Sequence, residues 1–264
     1  MIAVIHALEI GYDDIGSGMP LLFVHAFPLN RTMWAPQVSA LVERCRCVTI
    51  DLRGFGDSSV IPPYSIEQYA DDCAHLLDQL RVDRVVFVGA SIGGYIAFAF
   101  WRRHRGRARA FVLAGTRGGP DSDETLTRRR TMIDVARQDG AVAVANAQIA
   151  NLIGKTAREK QPDTYDAVHR TIAAAHVDGI VGAQVAMMIR ADSTPTLPTI
   201  DVPTLIMVGD EDVPNPVKES RAIHERIPAS RLEIITQAGH LVNLERPAAF
   251  NHLLTEFLAT LTYS

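Results

Sequence analysis

The chain has little cysteine, little aromatic surface and no surplus of positive charge. Its three cysteines in 264 residues, Cys45, Cys47 and Cys73, make neither the even count of a disulfide framework nor a metal-ligand spacing. Cys45 and Cys47 fall on one side of any strand they share. A reducing cytoplasm is therefore the expected compartment. Phe, Trp and Tyr together reach only 6%, and the formal net charge is −4, which argues against nucleic acid as a main partner. Arg102, Arg103, Arg105, Arg107 and Arg109 do cluster, but in the pattern of a solvated helix C-terminus that favours cations. The first residues carry no basic n-region, and Glu9, Asp13 and Asp14 arrive before a signal-length apolar core can form. The uncharged span 85–101 approaches the length of a membrane crossing, yet Gly89, Ser91, Gly93 and Gly94 divide it, so no membrane partner is expected.

What is present is alternation. Hydrophobic residues make up 47% and charged residues 21%, ordinary values for one large domain or a domain carrying an insertion. Residues 3–10 read as a first strand, with a second near Tyr12. Short apolar runs at 21–24, 47–50, 85–88, 110–114, 204–208 and 232–235 read as buried strands. Helical periods fall at 34–43, 66–80, 217–226 and 247–261. Ser65 to Gln68 forms a capping box, with Tyr64 and Tyr69 placed as a hydrophobic staple. Between 118 and 195 the strand signals stop, and helical periods follow one another at 124–138, 141–153, 163–175 and 180–190. This block is expected to be a helical cap inserted into a core that spans 1–264. Strands alternating with helices imply a mostly parallel sheet covered on both faces, with ligands bound beyond the C-terminal strand ends.

The chemistry-bearing residues cluster at those ends. Val85 to Val88 leads into Gly89-Ala90-Ser91-Ile92-Gly93, then an uncharged segment that ends in Arg102 and Arg103. Strand, tight turn and helix, with a serine at the turn, is the context of a nucleophile elbow. By itself the motif also fits a glycine-rich helix start that cradles a phosphate. A serine hydroxyl needs a base within reach, and the base needs a carboxylate to fix its tautomer. Downstream, Gly209 to Pro216 follows a strand and carries Asp210, Glu211 and Asp212, and His240 stands behind Gly239 after the last strand. The order Ser, Asp, His is that of α/β-hydrolases.

On HAFP (25–28), DLRGFGDS (51–58), GASIGG (89–94), GDEDVPNP (209–216) and GHLVNLERP (239–247), the chain resembles the α/β-hydrolase superfamily over nearly its whole length. Within it, the chain looks most like small bacterial carboxylesterases and 3-oxoadipate enol-lactonase-like hydrolases with helical caps. The resemblance implies Ser91 as nucleophile, His240 as general base and Asp212 as triad acid, with Asp210 as the alternative. It implies an oxyanion hole from the main-chain N–H groups of Ile92 and Phe27, although the early loop reads His25-Ala26 where the family has His-Gly. His25 is expected to organise that loop, Asp51 and Arg53 to brace another, and His75, His104, His169, His176, His224 and His252 to lie at the surface. The implied activity is hydrolysis of small to medium esters or lactones through an acyl-enzyme, without metal or organic cofactor. The same elbow also serves haloperoxidase-like perhydrolases, carbon–carbon bond hydrolases and low-turnover signal receptors. Ile149, Ile153, Met187 and Met188 are candidates for an apolar pocket or for packing between cap helices.

Overall fold

The computed structural model describes residues 1–5 and 7–261. Its apolar runs form one eight-stranded sheet: β1 (Ile2–Ile5), β2 (Leu8–Ile15), β3 (Met19–Val24), β4 (Cys45–Ile50), β5 (Val85–Ala90), β6 (Ala108–Ala114), β7 (Thr204–Gly209) and β8 (Ser230–Ile235). The spatial order is β1-β2-β4-β3-β5-β6-β7-β8. The β1–β2 and β2–β4 pairings are antiparallel and the rest parallel. Strands β5 and β7 are buried at every residue, which a strand attains only when both faces of its sheet are covered. The covering helices are α1 (Ala35–Leu41), α2 (Ile66–Gln79), α3 (Ile92–His104), α4 (Asp123–Leu152), α5 (Lys155–Lys160), α6 (Pro162–Ala173), α7 (Val177–Met188), α8 (Val217–His224), α9 (Val242–Glu245) and α10 (Pro247–Leu261). Because β3 lies between β4 and β5, the chain winds first to one side of it and then to the other. Such a reversal leaves a crevice at the carboxyl ends of the two strands flanking it.

The expected single strand at 3–10 is two strands. Ile5 and Leu8 face each other in register, and Ala7 takes φ +69, a conformation that alanine does not advertise in sequence. His6, inside that stretch, lies outside the described residues. The helix expected at 34–43 begins instead as a 3-10 turn, Arg31–Trp34, capped by Asn30 through the Thr32 N–H at 3.0 Å. Ser65 caps α2 as its sequence requires, accepting from Gln68 N–H at 3.0 Å. The arginine cluster is paired rather than merely solvated. Arg102 meets Glu67, Arg103 meets Asp71, Arg105 meets Asp201 and Arg107 meets Asp78. His104, expected at the surface, is half-buried against Asp71 at 2.8 Å.

Helices α4 to α7 fill the chain between β6 and β7. Gly140, at φ +80 and ψ −177, kinks α4 between the two expected helical stretches. Ser122 caps its start through the Thr125 N–H at 3.3 Å. Helix α7 settles onto the core where side chains are missing: a Cβ on Gly179 would collide with the Gly54 backbone, and one on Gly182 with the Tyr64 ring. No single described helix is long and apolar enough to cross a membrane.

Candidate active site

Ser91 follows β5 directly and sits at φ +55, ψ −110. Such a backbone costs a non-glycine residue on the order of 1–3 kcal/mol and must be held by its surroundings. Its N–H donates to the Ala114 carbonyl at 2.8 Å, and its own carbonyl accepts from Gly94 N–H at 2.9 Å and Thr116 Oγ1 at 2.8 Å. The turn also demands close approach. A Cβ on Gly93 would lie 2.6 Å from the Val24 carbonyl oxygen, and one on Gly94 would overlap the Thr116 side chain. Neither glycine has positive φ, so they are required for space and not for handedness.

His240 leaves the loop after β8 and points Nδ1 at both Asp212 oxygens, 3.0 Å and 2.9 Å away. Both residues are buried. An ionised carboxylate only accepts, so Nδ1 carries the proton and Nε2 keeps its lone pair. Asp212 is itself aimed: Asn215 N–H donates to its Oδ1 at 2.8 Å, Asn215 Nδ2 donates to the Gly115 carbonyl at 2.7 Å, and Arg117 Nε donates to Asn215 Oδ1 at 2.6 Å. Asp210, by contrast, is exposed and, among the described residues, accepts only from Ala238 N–H at 3.4 Å. The structure thus brings Asp212, and not Asp210, to His240.

A buried carboxylate that sequence reasoning missed holds the histidine loop. Glu245 accepts from Gly239 N–H at 2.8 Å and Leu241 N–H at 3.1 Å, the two residues flanking His240, and from Gly154 N–H at 2.9 Å between α4 and α5. Burial raises its pKa, against the pull of those donors and of His240. Glu211 makes a parallel tie to Thr156, accepting from its N–H at 2.8 Å and from its hydroxyl. Burial alone would raise the Glu211 carboxyl, but the Thr156 hydrogen bonds outweigh it and hold the group low. The only signal for Glu245 was its place five residues after His240.

Ser91 and His240 line one cavity of about 160 Å³, whose other walls include residues of α4 and α7. Phe27 lies on its wall, in the loop after β3. Ile92 opens α3, with the positive helix end toward the site. Among the described residues, the Ile92 and Phe27 N–H groups donate to no hydrogen bond. Ala26 does not take a positive φ, so the loop has no need of the family's glycine there. Of the expected apolar lining, only Met187 reaches the cavity. Along α4 beyond the Gly140 kink the residues facing it are Ala147, Gln148, Asn151 and Leu152, one helical stripe, which turns Ile149 and Ile153 into the packed interior. Met188 does not line the cavity.

His25 is fully buried, and burial lowers its pKa despite the opposing influence of Asp51. Nδ1 donates to the Ala26 carbonyl at 3.0 Å, and Nε2 accepts from Leu52 N–H at 3.0 Å. It joins the two loops at the ends of β3 and β4. Arg53 is locked to Asp72 at 2.6 Å and 2.7 Å, and Asp51 accepts from Arg31 N–H at 2.7 Å and Asp57 N–H at 2.9 Å. Both are braces.

Known proteins share this fold. A thermophilic esterase from Thermogutta terrifontis is 37% identical, with a TM-score of 0.93 over 96% of this chain and 94% of its own. The enol-lactonase from Burkholderia xenovorans LB400 is 28% identical, with a TM-score of 0.92 over 98% and 100%. A putative non-heme chloroperoxidase from Synechocystis is 29% identical over 95% of each chain. The family model for the alpha/beta hydrolase fold matches residues 19–247, and this chain belongs to that family.

Proposed function

We propose that this hydrolase is a serine esterase or lactonase acting on small to medium acyl substrates through an acyl-enzyme on Ser91. The observation that carries the reading is the buried Nδ1 contact of His240 with Asp212, at 2.9 Å and 3.0 Å, in a cavity shared with the strained Ser91. In the first half-reaction Ser91 Oγ bonds to the carbonyl carbon while its proton passes to His240 Nε2. The carbonyl oxygen, now an oxyanion, takes the Ile92 and Phe27 N–H groups. The C–O bond to the leaving group breaks, and His240 returns the proton to the departing oxygen. Water then repeats the sequence: it gives a proton to His240, bonds to the acyl carbon and releases Ser91 as the hydroxyl. Asp212 stays ionised throughout and stabilises the transient imidazolium.

The test is turnover of short p-nitrophenyl esters and of small lactones. Ser91→Ala is expected to reduce kcat to the limit of detection while its thermal unfolding remains cooperative. Retained ester hydrolysis in that variant sinks the assignment. Halogenation or carbon–carbon cleavage with no ester turnover would move the chain to another chemistry on the same fold.

A further inference from the structure

The cavity above Ser91 is positively charged beyond what the catalytic triad needs. Its lining contains three guanidinium groups, from Arg117, Arg128 and Arg129, and no Asp or Glu side chain. A fourth, Arg190, lies 4.3 Å over the ring of Tyr95, which also faces the cavity. One buried carboxylate answers them. Asp121 pairs with Arg129 at 2.5 Å and with Arg190 at 2.8 Å. Arg117 spends its donors on neutral oxygens, Asn215 Oδ1 at 2.6 Å and the Pro214 carbonyl at 2.8 Å. Arg128 has less still. Among the described residues it forms no ion pair, and its one hydrogen bond is to Thr125 Oγ1 at 3.4 Å.

Helix geometry explains the convergence. Thr125, Arg128, Arg129 and Met132 fall at spacings of three and four, so one face of α4 carries them all toward the cavity. A guanidinium at an apolar-walled mouth, with no acid of its own, is arranged to take a planar anion two-pronged.

We propose that the substrate bears a carboxylate, remote from the scissile carbonyl, and that Arg128 selects it. This rests on the ester-or-lactone reading above and narrows its substrate class to small anionic esters or lactones. The remote carboxylate keeps its charge through the reaction. Only the ester C–O bond breaks and the Ser91 C–O bond forms, with the proton travelling by way of His240. The excess positive charge also steers anions toward the opening, an effect that salt weakens.

The experiment compares the monoethyl esters of succinic and glutaric acid with analogues in which a primary amide replaces the free carboxylate. The acids are expected to exceed the amides in kcat/KM by about tenfold or more, equivalent to roughly 1.4 kcal/mol. Arg128→Gln is expected to lower that ratio about tenfold, chiefly through KM, and Arg128→Lys to recover part of it. A ratio near one, or equal losses on acid and amide in Arg128→Gln, overturns the proposal while Ser91-dependent ester turnover leaves the reaction class standing. If neither series is turned over, the reaction class is decided by the p-nitrophenyl esters and small lactones above, and the charge preference is read from calorimetric binding to Ser91→Ala. There the acids must bind more tightly than the amides, and equal binding overturns the proposal independently of any chemistry.

Discussion

At the residue scale, the triad depends on which of two neighbouring aspartates meets His240. Asp210 and Asp212 share a loop, but only Asp212 is buried with its carboxylate against Nδ1. Asp212→Asn puts an amide where the acceptor stood. It can turn its NH2 toward Nδ1, forcing the proton to Nε2 and removing the base. We expect kcat to fall by about 10⁴, with little change in KM, as when a triad acid loses its charge but keeps its shape. Asp210→Asn, on an exposed side chain, is expected to leave kcat within about twofold, the scale of ordinary surface substitutions. Steady-state kinetics on a p-nitrophenyl ester decides between them, and equal losses would show that the loop, not the carboxylate, carries the effect. This choice was legible in part. The residue types and their chain order follow from chemistry, whereas the register within Gly209-Asp210-Glu211-Asp212 came from resemblance. Burial is what separates the two, and no residue in that run announces it.

At the scale of elements, the site is made from strand ends tied to one another by buried carboxylates. Glu245 spans the His240 loop and the turn between α4 and α5 with three backbone N–H bonds. Glutamine in its place offers one oxygen and one NH2, so at least one of those donors faces another donor. Leaving a buried donor unsatisfied costs about 1–3 kcal/mol. Glu245→Gln is therefore expected to lower unfolding free energy by about that amount and kcat by about tenfold. Urea unfolding and steady-state kinetics measure the two separately, and a stability loss with kcat unchanged would remove Glu245 from the positioning of His240. The elements themselves were largely legible. Val85 to Ala90 and Thr204 to Gly209 are continuous apolar runs because both sheet faces are covered, and α10 begins at Pro247, where a first-turn proline is favoured. The β1–β2 hairpin was not, because Ala7 turns the chain at positive φ without a glycine. Helices α5 and α9 span too few residues to display a period. The cavity lining was not legible for a related reason: apolar composition marks both the packed and the open side of α4, and only the helix register distinguishes them.

At the scale of the whole molecule, the fold holds three ionisable side chains whose shifted pKa values make its stability respond to acid. His25 sits between the β3 and β4 loops and accepts from Leu52 N–H through Nε2, which requires the neutral ring. Burial holds its pKa below the ordinary 6.5. A histidine with a depressed folded pKa binds fewer protons folded than unfolded over that window. Its contribution is complete above about pH 6.5 and is lost as the pH falls toward the folded value. Asp121 acts lower on the scale. Burial would raise it, but the hydrogen bonds and charges of Arg129 and Arg190 prevail and hold it below its ordinary 3.8. Its contribution is present above 3.8 and disappears as the pH falls through the folded value. Glu245 runs the other way. Its raised pKa means that ionisation costs stability as the pH climbs above its ordinary 4.5, so acid relieves it over the range where His25 is losing ground. The loss that begins below pH 6.5 belongs to His25, at no more than about 1.4 kcal/mol per pH unit for one proton, and Glu245 offsets part of it. Unfolding by urea across that range is expected to show a declining wild-type stability. His25→Gln, whose amide oxygen can take the Leu52 N–H without titrating, is expected to begin less stable at neutral pH and to lose less on acidification. An unchanged slope in His25→Gln would place the titrating group elsewhere.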